Sequence, residues 1–484
     1  MTGDRLKMNI ITVVWGDWHI NAFLGLNVRT LLAAGNLPAL SASYSVIYDI
    51  YTRSADTAAI SAHENFRRLQ TLATVRLHAI AEQLVSEHGA SDPIRVHHET
   101  WGAAIATARG EGAFVLLMPP DVAWSDGSLR HVADLMRRGR KIIYNFYLRV
   151  VSDTFAEEFL EKYGANEPAI GVAARELVRF SMRHIHPLMA AYTRSWENFP
   201  DHTEMIIWPV AREGLLVRTL ARECFLFDPS IYPLDGRNLV ARAAAPGDME
   251  FITDSDALFA ISLTPIGKDL DRWLATPKTI DVAWLGYWWL EYDSPINDMT
   301  AAAKVRIHDV ELTEKKWRQV EFGSDLLIRR AAMYREAYRA WRLVHRLQCR
   351  YAAELLAYAI KTGSIRDVTG ASGRLVVLAP SDEHLAPIAA QRLAAAPDKA
   401  APTINDLIRA HVAVLADHQP DLETRLARER EVSLIALDGR ELRLRATRYR
   451  RSLGGTFLVN DALHTFGSLR AGPTWVLRLE GVLS

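Results

Sequence analysis

The stretch Phe114–Leu129, FVLLMPPDVAWSDGSL, decides how this chain is read. Four apolar residues, Phe114 to Leu117, have the length and character of a buried strand. Pro119 and Pro120 end it, because proline has no amide hydrogen to continue a ladder. Asp121 follows at once, and Ser125 or Asp126 stands where a helix N-cap belongs, ahead of SLRHVADLMRR. In open α/β sheets ligands bind at the carboxyl ends of the strands. A carboxylate there can hold Mg²⁺ or Mn²⁺ against a diphosphate, since hard cations prefer oxygen ligands. The other reading of Asp121 is a turn residue.

Working outward, strand and helix patterns alternate over the first 150 residues. MNIITVVW (Met8–Trp15) is a compact β-branched strand, and INAFLGLNVRTLLAA has helical spacing that stops at Gly35-Asn36. SYSVIYDIYT (Ser43–Thr52) is a second strand. ATVRLHAIA is either a third strand or the end of the preceding helix. Glu99–Gly110 is a small-residue helix, and KIIYNFYLRVV (Lys141–Val151) reads as one strand. The alternation predicts an α/β fold with a mainly parallel sheet flanked by helices.

Beyond residue 155 the pattern is mixed. Helical stretches reach about His186, and four strand-like runs lie between Glu204 and Pro265. From Asp325 a long helical stretch begins, in one or two pieces. Near the C-terminus VSLIALDGRELRLRAT places Asp-Gly between two alternating runs, a hairpin signal. The expected division is residues 1–325, with halves 8–155 and 156–325, and an α+β region over 326–484 that is helical and ends in a hairpin.

The totals fit this. The chain has 484 residues, 57 basic and 57 acidic side chains, and two cysteines. Zero formal charge gives no reason to expect nucleic acid as a partner. Cys224 and Cys349 exclude a disulfide framework and a cysteine-rich zinc site. Neither a signal peptide nor a membrane span is legible, so a cytoplasmic protein is expected.

The order of the first part, from IITVVWG to a hydrophobic strand ending in an acid near residue 120, resembles the GT-A glycosyltransferase fold, a Rossmann-like mixed sheet. That family usually carries Asp-x-Asp, whereas this chain reads Pro120-Asp121-Val122-Ala123, with one acid. The resemblance implies a nucleotide-sugar donor, a hydroxyl acceptor and Mn²⁺ or Mg²⁺ at Asp121. It places Trp15 and Asp17 of WGDWH near the nucleoside. No Gly-x-Gly-x-x-Gly follows the first strand, no P-loop occurs, and no Gly-x-Ser-x-Gly marks a nucleophile.

Other polar clusters compete for roles. Asp17 caps a helix or accepts from a base or ribose hydroxyl. Asp254 and Asp256, two apart in FITDSDALF, share a face if extended. They then act as a base toward the acceptor, or they cap a helix. Arg149 is a candidate cation for the leaving diphosphate. Asp228 and Asp235 in FDPSIYPLDGRN are weaker candidates. His97-His98-Glu99 reads as a solvated turn opening a helix rather than a metal site. The aromatic residues of WLGYWWLEYD stack on sugars or form core. Arg335, Arg339, Arg342, Arg346 and Arg350 recur at helical spacing, with arginines expected in water and aromatics inward. The alternative for that stripe is peripheral contact with acidic lipids.

The function expected from all this is glycosyl transfer from a nucleotide sugar to a hydroxyl acceptor, in glycan or glycoconjugate synthesis. The alternatives are a nucleotidyltransferase and a non-catalytic assembly protein built on a degenerate transferase domain.

Overall fold

A computed structural model describes residues 5–89, 91–164, 167–193, 204–220, 224–230, 246–267, 280–291, 295–347, 349–362, 373–394, 397–416, 422–450, 454–471 and 474–483. The chain forms two compact units. One comprises Met1–Thr279 with Ser294–Phe322, the other Ile280–Asp293 with Gly323–Ser484.

In chain order the first unit's strands are β1 (Lys7–Val13), β2 (Ser45–Thr52), β3 (Thr74–Ala79), β4 (Ala113–Leu117), β5 (Val122–Trp124), β6 (Ile142–Tyr144), β7 (Tyr147–Val151), β8 (Met205–Val210), β9 (Gly214–Thr219), β10 (Cys224–Phe227), β11 (Met249–Phe251), β12 (Ala260–Thr264) and β13 (Val305–His308). The main sheet has the order β11-β6-β10-β4-β1-β2-β3. Strands β4, β1, β2 and β3 run parallel, and β10 is antiparallel to both its neighbours. Alternate side chains fill two cores. Met8, Ile10, Tyr48, Ile50 and Leu116 pack against Phe23, Leu31, Leu40, Leu129 and Val132 from helices on one face. Ile11, Val115, Leu117 and Ile142 meet Ala104, Ile105 and Ala108 of the Pro93–Gly110 helix on the other. This is the α/β sheet flanked by helices that the alternation predicts, made mixed rather than parallel by the inserted β10.

Two local expectations change. Lys141–Val151 is two strands in different sheets. β6 stays in the main sheet, and after Asn145-Phe146 the chain re-forms as β7 beside β12 in a three-stranded sheet, β5-β12-β7. His97, His98 and Glu99 do not open a helix. They lie inside the Pro93–Gly110 helix, which Asp92 caps by accepting from Arg95 N–H at 3.1 Å. Pro93 at the first turn costs no hydrogen bond there, so the true start precedes the histidines.

The second unit holds a seven-stranded sheet, richer in strand than the helical region ending in a hairpin that the sequence suggests. Its strands are β14 (Gly373–Pro380), β15 (Val412–Ala416), β16 (Glu431–Ile435), β17 (Glu441–Arg450), β18 (Gly454–Val459), β19 (Leu463–Ala471) and β20 (Thr474–Leu479), in the order β15-β14-β20-β19-β18-β17-β16. The Asp-Gly turn joins β16 to β17 antiparallel, with Gly439 at φ 88°. The long helical stretch is two helices, Glu314–Arg346 and Arg350–Thr362.

The arginine stripe is not a continuous wet face. Arg335 and Arg339 are buried on either side of buried Glu336. Arg339 Nη1 donates to both Glu336 oxygens at 2.6 and 2.7 Å, and Thr474 Oγ1 donates at 2.7 Å. Arg335 also stacks on Trp289, 4.4 Å from its ring centre. Helix Val282–Glu291 reaches this place because Gly286 lets it close on Ala331 and Tyr334. Trp289 is buried in this unit, whereas Trp284 of the same helix is exposed; Tyr292 lies outside the described residues.

Removing the acid would take a shared buried carboxylate from two buried guanidinium groups. Glu336→Ala is expected to cost about 3–5 kcal/mol, read as a lower urea midpoint for the transition of this unit.

His411 generates a pH prediction. Its Nδ1 donates to Leu407 O at 2.6 Å, and its Nε2 accepts from Leu483 N–H at 2.9 Å, so both nitrogens suit a neutral ring. Burial lowers its pKa from 6.5 to about 4. Between those values the unfolded chain binds the proton and the folded one does not, so stability falls as pH drops through that window. The loss is about 3 kcal/mol by pH 4. Urea unfolding at pH 7 and pH 4.5 should show that drop in the wild type and a drop smaller by about 2 kcal/mol in His411→Asn.

Candidate functional site

The main sheet's strand order reverses at β1. The chain goes from β1 outward to β2 and β3, then returns to place β4 on the other side. The carboxyl ends of β1 and β4 therefore border the crevice where open α/β sheets bind ligands.

At the β4 end, Met118 N–H makes the last ladder bond, to Ile11 O at 2.9 Å. Pro119 and Pro120 then have nothing to donate, and the chain leaves the sheet. It re-pairs as β5, antiparallel to β12. The departing backbone is satisfied by three buried side chains from the connection between β1 and β2. Asn27 Nδ2 donates to Val122 O at 2.8 Å and Pro119 O at 3.3 Å. Thr30 Oγ1 accepts from Trp124 N–H at 3.2 Å. Asn36 accepts from Leu129 N–H at 3.1 Å and donates to Ser125 O at 3.1 Å. The cap expected from Ser125 or Asp126 for the Ser128–Arg137 helix is thus supplied by Asn36. Asp126 instead accepts from Gly35 N–H at 2.7 Å, a contact that leaves no room for a Cβ on Gly35.

Asp121 sits half-buried at this turn. Its carbonyl accepts from Leu263 N–H at 2.8 Å, and Ser262 Oγ donates to its Oδ2 at 3.0 Å. Ser262 is the register partner of Arg149 on β7, so the two side chains leave the small sheet on one face. Arg149 is exposed, and its guanidinium makes no ion pair among the described residues.

At the β1 end, Gly16 takes φ 78°, and its N–H donates to Asp56 Oδ2 at 3.1 Å. Asp56 is in turn gripped by Arg53 at 2.8 Å, which holds its carboxyl below the usual range despite burial. This fixes the angle at which Trp15 and Asp17 leave the strand. Asp17 does not cap its helix; its carboxylate is exposed, within range of Arg53's charge. Trp15 meets His97 edge-on at 5.6 Å, and His97 stacks on Trp101 at 4.8 Å. His97 Nε2 donates to Val13 O at 2.9 Å. Burial lowers the pKa of His97, and desolvation lowers that of His19; the Asp121 charge acts against both shifts. His19, His97 and Asp121 therefore act on one another electrostatically, and Trp15 packs against His97.

Asp254 and Asp256 are placed differently. They are not in an extended run, and the chain after them turns and enters strand β12 at Ala260 rather than starting a helix. Asp254 Oδ1 accepts from Asp256 N–H at 2.8 Å in a tight turn. Asp256 faces solvent and is held by Arg175, whose nitrogens reach its oxygens at 2.6 to 3.1 Å. Asp254 lies 3.2 Å from Nε2 of His308. Burial pushes the Asp254 carboxyl up, but His308, Asp256 N–H and Arg306 together hold it below its ordinary value. The Asp254 bond raises the pKa of His308 against burial. Their contacts are with His308, Arg175 and Arg306, not with Asp121 or Ser262. Ligand atoms of Asp254, Asp256 and His308 lie within 4.8 Å of one another, the one such group among the described residues. Around Asp121 no such threesome forms among them. Asp228 accepts from Ser230 N–H at 2.9 Å in a local turn, and Asp235 lies outside the described residues.

The side chains that the sequence did not single out are Asn27, Ser262, His97 as a packing partner, and His308. Each acts across 54 to 141 residues of chain. No local spacing carries such a signal.

No family model and no curated protein matches the chain. Among solved structures it is similar to mouse xyloside xylosyltransferase 1, at 13% identity over 32% of this chain and 59% of that one, with a TM-score of 0.23. It is also similar to S. aureus TarS, at 12% identity over 30% and 22%, TM-score 0.20. A third is a glucose-1-phosphate thymidylyltransferase, so described, from Bacillus anthracis, at 12% identity over 31% and 57%, TM-score 0.16. The chain spans less than two thirds of each. Likenesses this slight decide nothing about activity.

Asn27→Ala would strip two carbonyls of the donor that a fully buried side chain supplies. The expected loss is about 2–3 kcal/mol, measured by urea unfolding.

Proposed function

We propose that the first unit transfers a glycosyl group from a nucleotide sugar to a hydroxyl acceptor. The observation that carries this reading is the placement of Trp15 and Asp121 on the two chain segments that leave β1 and β4, where the strand order reverses. In this reading the aromatic faces of Trp15 and His97 border the base, and Asp17 accepts from a ribose hydroxyl. Asp121, oriented by Ser262, is the residue that would hold Mn²⁺ or Mg²⁺ with the diphosphate. When bound, that ion neutralises charge on the departing diphosphate. Arg149, on the face that Ser262 shares, adds a fixed positive charge for the same purpose. The acceptor oxygen bonds to the anomeric carbon as the bond to the diphosphate breaks with its electron pair on the phosphate oxygen, and the acceptor's proton passes to water or to the released diphosphate. Stabilising the phosphate oxygen is therefore the main demand. Asp254 and Asp256 receive no catalytic role here, because their contacts are with His308, Arg175 and Arg306 rather than with Asp121 or Ser262.

Calorimetric titration of the full chain with UDP, GDP and CDP, with and without Mn²⁺, tests this. One nucleotide should bind, at least about tenfold more weakly without Mn²⁺ or in Asp121→Ala. Absence of binding to all three would overturn the reading in favour of an assembly protein. Binding followed by release of pyrophosphate, rather than a nucleoside diphosphate, during turnover would favour a nucleotidyltransferase.

A further inference from the structure

His308 closes β13, and Asp254 lies three residues beyond β11. The two strands belong to different sheets, β13 to the sheet β13-β9-β8. Backbone bonds already link them, Ser255 N–H to Arg306 O at 2.9 Å and Arg306 N–H to Thr253 O at 2.8 Å. His308's side chain is only 5% exposed.

The hydrogen bonds of His308 pose a problem. Nδ1 lies 2.9 Å from Val310 O. A carbonyl oxygen only accepts, so Nδ1 carries the hydrogen. In the neutral ring Nε2 is then a lone pair, and it faces Asp254 Oδ1 at 3.2 Å. Two acceptors meet, and something positive must sit with them. A proton needs Asp254 alone. A metal ion needs more ligands, and Asp256 supplies one within the same 4.8 Å. Around it the carboxylates Asp254, Asp256, Asp309 and Glu311 face the guanidinium groups of Arg175 and Arg179, with the Arg306 charge beside Asp254.

We propose that Asp254, Asp256 and His308 bind one divalent transition-metal ion, which staples the end of β11 to the end of β13. One imidazole nitrogen with carboxylate oxygens suits Mn²⁺ or Zn²⁺ better than the all-oxygen preference of Mg²⁺ or Ca²⁺. The Nδ1–H bond to Val310 O is the outer contact that aims a histidine at a metal, and Arg175 is the outer partner of Asp256, whose oxygens have lone pairs to spare. The role is structural and independent of the transferase reading, since Asp121 is not among the ligands.

The test is a titration of the full chain with MnCl₂ alone, with bound ion followed by electron paramagnetic resonance and stability by thermal unfolding. The wild type and Asp121→Ala should each bind one ion at this place and gain about 5 °C or more at a hundredfold excess over Kd. Asp254→Asn and His308→Asn should lose that ion. Asp256→Asn, a surface change that spares folding, should weaken it at least tenfold. No saturable binding in the wild type would overturn the proposal, as would binding that survives Asp254→Asn and Asp256→Asn unchanged. An ion lost only in Asp121→Ala would also overturn it, while leaving the transferase reading intact.

Discussion

Two missing amide hydrogens shape this molecule. Because Pro119 and Pro120 have none, β4 cannot continue past Met118, and the chain must find new partners. It finds them in β12 and in the side chains of Asn27, Thr30 and Asn36. An unpaired buried peptide group costs as much as a lost hydrogen bond, so these three polar residues are structural requirements in an otherwise apolar layer. Asp121 reaches the rim of the crevice as a consequence, at a place where the backbone passes from one sheet to another.

This explains what was legible in the sequence. Strand endings are local chemistry, and Pro-Pro-Asp after four apolar residues can be read on sight. The β-α alternation and the Asp-Gly hairpin are local too. Lys141–Val151 shows the limit. Its hydrophobic pattern is continuous, but Asn145-Phe146 turns it from one sheet into another, and only the competing demands of β10, β11 and β12 reveal that. The donors that dress Pro119–Leu129 are as remote. GLNVRTLLAAGN reads as an ordinary apolar helix, and nothing in it says that its asparagines serve a segment some 90 residues away.

Charge was the least legible property. Helical spacing shows which arginines share a face, not whether that face meets water. Arg335 and Arg339 are buried because Glu336, one and three residues away, compensates both. Asp254 and Asp256 read in the sequence either as a base toward the acceptor or as a helix cap, yet their partners, His308 and Arg175, come from segments more than 50 residues distant. In each case the carboxylate's role is set by which cation the fold delivers, and local sequence does not contain that information.

The central claim is a location: the carboxyl ends of β1 and β4 form the ligand crevice. Hydrogen–deuterium exchange of the full chain, with and without Mn²⁺ and a nucleoside diphosphate, tests it most directly. Slower exchange confined to the segments around Trp15–His19 and Asp121–Trp124 is the predicted result. Protection elsewhere, or none at saturating nucleotide, would contradict it.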